Sequence, residues 1–180
     1  MSREQAVAIA GRIGSGKTTL ASILAGRLNC PMASFGSYVR SVALQWGLDP
    51  ADRASLQDVG EDLIATQGWH SFCRSVLDHG GYVSGAVVVD GIRHVAAIAA
   101  IRELVAPTPC RLVAVSVRDE SRADRLRVRG ITAEAAQAAD AHTSESQVHQ
   151  VIEGAEFVTH DEDPTEAADA VLRWLAASGT

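Results

Sequence analysis

Apolar residues fall in two rhythms along this chain. Ala6-Val7-Ala8-Ile9-Ala10, Ala86-Val87-Val88-Val89 and Leu112-Val113-Ala114-Val115-Ser116-Val117 are short runs with almost no polar break. Strands buried on both faces of a parallel sheet read this way. Glu156-Phe157-Val158-Thr159 predicts a shorter strand, and a further one is expected just before Ser34. Between the runs, apolar residues recur every three or four positions, as on one face of a helix. Leu20, Ile23, Leu24 and Leu28 form one such face, and Tyr38, Val39, Val42, Ala43 and Trp46 a second. Leu56, Val59, Leu63 and Ile64 form a third, and Trp69, Phe72, Cys73, Val76 and Leu77 a fourth, which Gly80-Gly81 ends. Helices are also predicted from His94 to Val105, Asp119 to Arg129 and Ser144 to Ile152, and through Val171, Leu172 and Leu175. Asp49-Pro50 and Asp119 are expected N-caps, and Asp163-Pro164-Thr165-Glu166 a capping box.

Strands alternating with helices imply an α/β fold, a parallel sheet covered on both sides. Ligands of such sheets sit at the carboxyl ends of the strands. That places the segment Gly11 to Thr18, Asp90 and the end of the Val117 strand around one crevice. Gly11 to Thr18 reads G-R-I-G-S-G-K-T, which fits G-x-x-x-x-G-K-[ST] at every fixed position, between a strand and a helix. Its glycines let backbone N–H groups turn inward around a phosphate chain, and the helix start adds partial positive charge. Lys17 is expected on the β/γ-phosphates and Thr18 on Mg²⁺. The chain is thereby expected to bind a nucleoside triphosphate.

Composition narrows this reading without changing it. The 180 residues suit one domain, 47% hydrophobic and 21% charged. A net charge of −6 argues against a general nucleic-acid surface. No apolar run reaches membrane-spanning length, and Met1-Ser2-Arg3-Glu4-Gln5 has no signal-peptide pattern, so the expected location is cytoplasmic. Cys30, Cys73 and Cys110 fit neither a disulfide framework nor a zinc site and are expected as reduced thiols. His70, His79, His94, His149 and His160 lack ligand spacing and are expected in solvated or capping roles. Trp46 and Trp69 are expected in the core, with contact to an acceptor base as the alternative.

Three further segments carry a resemblance. Ser34-Phe35-Gly36-Ser37-Tyr38-Val39-Arg40 resembles the acceptor segment S-T-G-D-M-L-R of adenylate kinases, matching at Ser34, Gly36 and Arg40 and departing at Phe35 and Ser37. Asp90-Gly91-Ile92-Arg93 resembles their D-G-F-P-R segment, one residue shorter. Asp124-Arg125-Leu126-Arg127-Val128-Arg129 resembles the start of the nucleoside monophosphate kinase lid, where an E-R pair is followed by an arginine four positions on. The chain therefore looks like a P-loop kinase of the nucleoside monophosphate kinase-like group.

The resemblance implies a three-layer α/β/α domain with a parallel five-stranded sheet. Its core would be 1–34, 82–118 and 154–180, with a helical acceptor-binding insert at about 35–81 and a lid at about 119–153. It implies ATP and Mg²⁺ as cofactors, with ATP held by Gly11, Ile13, Gly14, Ser15, Gly16, Lys17, Thr18, Thr19 and Arg125. Thr18 and Asp90 would serve the metal, Asp90 through water. The acceptor would meet Ser34, Gly36, Arg40, Asp90, Gly91 and Arg93, and Lys17, Arg93, Arg125 and Arg129 would be catalytic. The expected partner is a small-molecule phosphate acceptor, without nucleic acid or membrane, on a monomer or homodimer.

One departure limits the resemblance. No Arg or Lys occurs between Arg129 and Arg173, where adenylate kinases carry more lid arginines. Asp140-Ala141-His142-Thr143-Ser144-Glu145 instead resembles a D-x-x-x-S-E segment of phosphomevalonate kinases and viral deoxynucleotide kinases, and the roles of Asp140, His142 and Glu145 stay open. Dephospho-CoA kinases place an Asp at the end of the second strand to activate a sugar hydroxyl. Ala33-Ser34-Phe35-Gly36 has no acid there. A phosphate acceptor needs none, because its oxygen is already ionised. The expected reaction is γ-phosphoryl transfer from ATP-Mg to the phosphate of a nucleoside or deoxynucleoside monophosphate. The alternatives are a kinase for phosphomevalonate or dephospho-CoA, and a nucleotide switch without an acceptor.

Overall fold

The computed structural model describes residues 4–132, 134 and 143–178, with only the backbone for 143–146. Its elements alternate along the chain as the apolar rhythm predicts. They are β1 (Ala6–Gly11), α1 (Lys17–Leu28), β2 (Met32–Ser34), α2 (Phe35–Gln45), α3 (Arg53–His79), β3 (Val87–Ile92) and α4 (Val95–Val105). After them come β4 (Cys110–Val115), α5 (Asp119–Val128), α6 (Thr143–Glu153), β5 (Phe157–Thr159) and α7 (Pro164–Ser178). The strands form one five-stranded sheet in the order β2-β3-β1-β4-β5, and every pairing is parallel.

β1 is central, and the alternation of its side chains sorts the core into two halves. Ala6, Ala8 and Ala10 face one cluster with Val59, Phe72, Val76 and Leu77 of α3, Ile101 of α4 and Val151 of α6. Val7 and Ile9 face the other, with Leu20 and Leu24 of α1 and Val171 and Leu175 of α7. The small side of β1 lets α3 and α4 pack close to the sheet, and the large side fills the space under α1. All six β1 residues are buried. No helix among the described residues is long and apolar enough to cross a membrane.

Several local expectations shift. The third and fourth apolar faces lie on one continuous element, α3, broken at Gly68, whose φ of 74° and ψ of 166° interrupt the helix. The helix starts at Asp52 rather than at Asp49-Pro50. Asp52 Oδ1 accepts from the Ala54 amide at 3.2 Å, while Asp49 Oδ1 caps a turn by accepting from the Ala51 amide at 2.8 Å. Asp119 does not cap α5, whose N-cap is Arg118. Its carboxylate is drawn 2.9 Å from Arg12 Nη1 in the phosphate loop. Asp163 caps as expected, Oδ1 accepting from the amides of Thr165 and Glu166 at 2.7 and 3.1 Å.

Trp46 is 51% exposed and is not a core residue. Cys73 is buried and Cys30 and Cys110 half-buried, all three as free thiols. Burial pushes the Cys73 thiol up to about 12 and that of Cys110 to about 11. Asp140 and His142 lie outside the described residues, and so does the side chain of Glu145.

Candidate active site

The phosphate loop joins β1 to α1 at the carboxyl edge of the sheet. The N-cap of α1 is Gly16, without a side-chain cap, and no acid stands in the first turn. The amides there are left for an acceptor that is not a side chain, which suits an anion. Lys17 reaches back across the loop, its Nζ donating to the Arg12 carbonyl at 3.2 Å. Ser15 is buried, and its hydroxyl finds no hydrogen-bond partner among the described residues. Gly14 has φ +80°, and a Cβ there would lie 2.9 Å from Leu126 Cγ of α5, so no side chain fits between loop and helix.

α5 grips the loop with two arginines. Arg122, only 8% exposed, donates from Nε to the Ile13 carbonyl at 2.8 Å. Arg125 donates from Nη1 to the Ser15 carbonyl at 2.8 Å and from Nη2 to the Glu162 carbonyl at 2.7 Å. The Arg125 guanidinium is thus held against the back of the loop and ties it to the segment after β5. Arg129 is the exposed C-cap of α5. Arg122 was missed in the sequence, although it stands three positions before Arg125 on the same helix.

Asp90 is the meeting point of three elements. It ends the apolar run of β3 and is 4% exposed. Its Oδ2 accepts from Thr18 Oγ1 of α1 at 2.8 Å and from Ser34 Oγ at 3.4 Å. Ser34 is also the N-cap of α2, its Oγ accepting from the Ser37 amide at 3.3 Å. One carboxylate thereby links the start of α1, the end of β3 and the start of α2. Among the described residues its other oxygen, Oδ1, has no partner and is buried.

A backbone irregularity sets this aim. Ile9 pairs with Asp90 but Ala10 with Ile92, so Gly91 is the extra residue of a bulge, at φ +94°. Bulges re-aim a side chain at the end of a ladder. The glycine of D-G-I-R therefore has a reason the sequence hid.

The acceptor-side candidates gather at the same edge. Arg40 is exposed on α2, and its Nη1 comes within 3.3 Å of where a Gly36 Cβ would stand. Its guanidinium thus folds back over the first turn of the helix. Arg93 is half-buried in the segment joining β3 to α4. On the donor side Thr19, expected on ATP, is exposed on the first turn of α1.

The donor set around Asp90 is two hydroxyls and a carboxylate, all oxygen, with one carboxylate oxygen unspent. That chemistry suits Mg²⁺, which takes one or two protein oxygens and leans on substrate phosphates. Among the described residues no group of three or more His, Cys, Asp or Glu could hold a metal by itself.

The sequence pattern of the AAA domain family (AAA_18) matches residues 7–150. The sequence has no match among curated proteins. Shikimate kinase from Aquifex aeolicus has a similar structure, with a TM-score of 0.58 at 16% identity over 97% of this chain and 98% of that one. A gluconokinase from Sinorhizobium meliloti superposes with a TM-score of 0.58 at 15% identity, covering 99% of this chain and 95% of that one. Shikimate kinase from Acinetobacter baumannii, solved with shikimate, gives 0.57 at 14% identity over 98% and 96% of the two chains. At these identities the likeness is one of fold.

Proposed function

The chain belongs to the AAA domain family, and from that premise we propose that it is an ATP-dependent small-molecule kinase. It moves the γ-phosphoryl of ATP-Mg to the phosphate of a nucleoside or deoxynucleoside monophosphate. The observation that carries this reading is the Asp90 node. One buried carboxylate binds Thr18, at the foot of the phosphate loop, and Ser34, which caps α2. Donor and acceptor elements so linked suit transfer between two ligands better than binding of one.

The acceptor's nature is inferred from charge. The end of β2 holds Ser34 rather than an acid, and Arg40 folds over the α2 N-terminus. Helix amides and a guanidinium at one spot suit a phosphate dianion, whose oxygen attacks without a base. Lys17 neutralises charge at the β/γ-phosphates. Arg93 follows the acceptor edge and is assigned to the acceptor or transferring phosphate. Arg129 is assigned to the γ-phosphoryl, and Arg125 to holding the loop, because two carbonyls occupy its guanidinium. Mg²⁺ held by Thr18 and Asp90 would supply charge neutralisation on the triphosphate. Catalysis then comes from positioning and fixed charge.

A hydroxyl acceptor is the second reading, favoured by one observation: the unspent Oδ1 of Asp90 could take a proton. Fold neighbours named for shikimate and gluconate agree with it. The test is ADP release from ATP-Mg with a panel of all ribo- and deoxynucleoside monophosphates, phosphomevalonate, dephospho-CoA, shikimate and gluconate. Strong stimulation by one monophosphate is expected, with loss on the order of a hundredfold or more in Lys17→Ala. Stimulation by shikimate or gluconate alone would replace the phosphate acceptor with a hydroxyl. Slow hydrolysis indifferent to the panel would remove the kinase reading and leave a nucleotide switch.

A further inference from the structure

His94 breaks a local rule. It occupies the N-cap of α4, where Ser, Thr, Asp or Asn would bond a first-turn amide, yet its side chain makes no capping bond. The ring crosses to two other elements instead. Nδ1 lies 2.7 Å from Gln147 Oε1 on α6. The ring centroid is 4.7 Å from that of Trp69 on α3, tilted by 47°. An amide oxygen only accepts, so Nδ1 carries the proton in this pair. Burial holds the ring below the usual histidine range, against the raising effect of the Gln147 bond. The charged groups that act on it are Arg93 on its own segment, which lowers its pKa, and Glu61 on α3, which raises it.

Trp69 needs such a tie. It follows directly on Gly68, where the helix is broken. The second half of α3 therefore does not inherit its place from the first half. From Trp69 a run of rings continues to Phe72 at 6.2 Å, and from Phe72 to Phe35 and Tyr38 of α2 at 5.5 and 5.9 Å. Phe35 stands between Ser34 and Gly36, and Tyr38 is in the next turn of α2. His94, next in sequence to Arg93, thus stands at one end of a packed line that reaches the start of α2.

We propose that His94 is a positioning residue for the acceptor, holding Trp69 and Gln147 at a fixed separation and with them the peptide that carries Arg93. The role rests on the kinase reading above. The bond to Gln147 and the ring contact with Trp69 are separable parts of it. His94→Phe keeps a ring and loses the bond, Gln147→Leu removes the acceptor of that bond, and His94→Asn keeps a donor and loses the ring.

The experiment uses a Trp46→Phe/Trp174→Phe parent, in which Trp69 is the sole tryptophan of the three. Steady-state kinetics are run with the best acceptor from the panel, beside melting curves and Trp69 fluorescence from pH 5 to 8. In both His94→Phe and Gln147→Leu, kcat/KM for the acceptor is expected to fall about tenfold or more. The KM for ATP and the melting temperature should stay close to the parent's. The double variant should be no worse than either single one, and His94→Asn should recover part of the loss. Trp69 fluorescence should titrate in the parent and not in His94→Phe. Removing Gln147 should move the midpoint down, because its bond raises the histidine pKa.

Acceptor kinetics equal to the parent's, or a parallel loss for ATP, would overturn the positioning role. So would a Trp69 signal indifferent to His94. Failure of the kinase reading looks different: the parent itself would show no acceptor-stimulated turnover, and the role would fall with it.

Discussion

Replacing Asp90 by Asn should make the empty protein more stable and the nucleotide-bound protein less so. The carboxylate is 4% exposed and, among the described residues, has two hydroxyl donors on Oδ2 and none on Oδ1. A buried polar atom without a partner costs about 1–3 kcal/mol, and more when the group is charged. The amide of Asn keeps an oxygen for Thr18 and Ser34 and removes the charge, so a gain of about 1 kcal/mol is expected. In a domain of this size that raises the melting temperature by roughly 2–4 °C. The opposite sign appears with ligand. At a hundredfold excess over Kd, ATP-Mg should stabilise the unaltered protein by about 2.7 kcal/mol, or roughly 5–10 °C. A tenfold loss of affinity in Asp90→Asn removes about 1.4 kcal/mol of this, so the increment shrinks by roughly 3–6 °C. Melting curves of both proteins, with and without ATP-Mg, give all four numbers. A variant that melts lower when empty and keeps the full ATP-Mg increment would refute the reasoning, making Asp90 a structural post rather than a ligand-facing acid.

Two further outcomes follow from the same geometry. Gly14→Ala places a Cβ 2.9 Å from Leu126 Cγ at φ +80°, and overpacking with backbone strain should cost about 2–4 kcal/mol and weaken ATP binding with it; unchanged melting and affinity would mean that α5 does not press on the loop as described. Asp52 and Asp163 have lowered pKa values, Asp52 chiefly through the Ser55 hydroxyl and Asp163 through the Glu166 and Thr165 amides. Their stabilisation is therefore present above the unfolded carboxylate range and lost as pH falls through the lower folded values. Asn caps as well without titrating, so Asp52→Asn/Asp163→Asn should match the parent at pH 7 and lose less melting temperature between about pH 5 and 3; identical acid limbs would remove both caps from the account.

Much of the fold was legible because its signals are local. The runs in β1, β3 and β4 are apolar at consecutive positions, which only a strand covered on both faces tolerates. The phosphate loop carries its function in its own backbone, so its pattern survives without context. What was hidden depends on distant partners. Asp119 has the composition of a cap but is pulled to Arg12, 107 positions away. Arg125 reads as a cation for the nucleotide, yet it donates to two backbone carbonyls, and Arg122, which the sequence did not single out, donates to a third; such partners leave no trace in composition. His94 looked like a solvated cap, and only the folded chain brings Gln147 to it from 53 positions on. Gly91 read as part of a family segment, while its physical role is the bulge between β1 and β3.

The break at Gly68 has an engineering meaning. It divides α3 into two rods, the first starting at Arg53 after the Asp52 cap and the second beginning with Trp69. Because the break uncouples the two, adding or removing residues in the first rod would turn that rod alone by about 100° per residue, presenting a different wall to whatever lies beside α2 and leaving the second rod where Trp69 is held. The phosphate loop and Asp90 belong to other elements and would stay where they are. Selectivity could thus be redesigned by changing a length, with every charged group of the proposed transfer site left untouched.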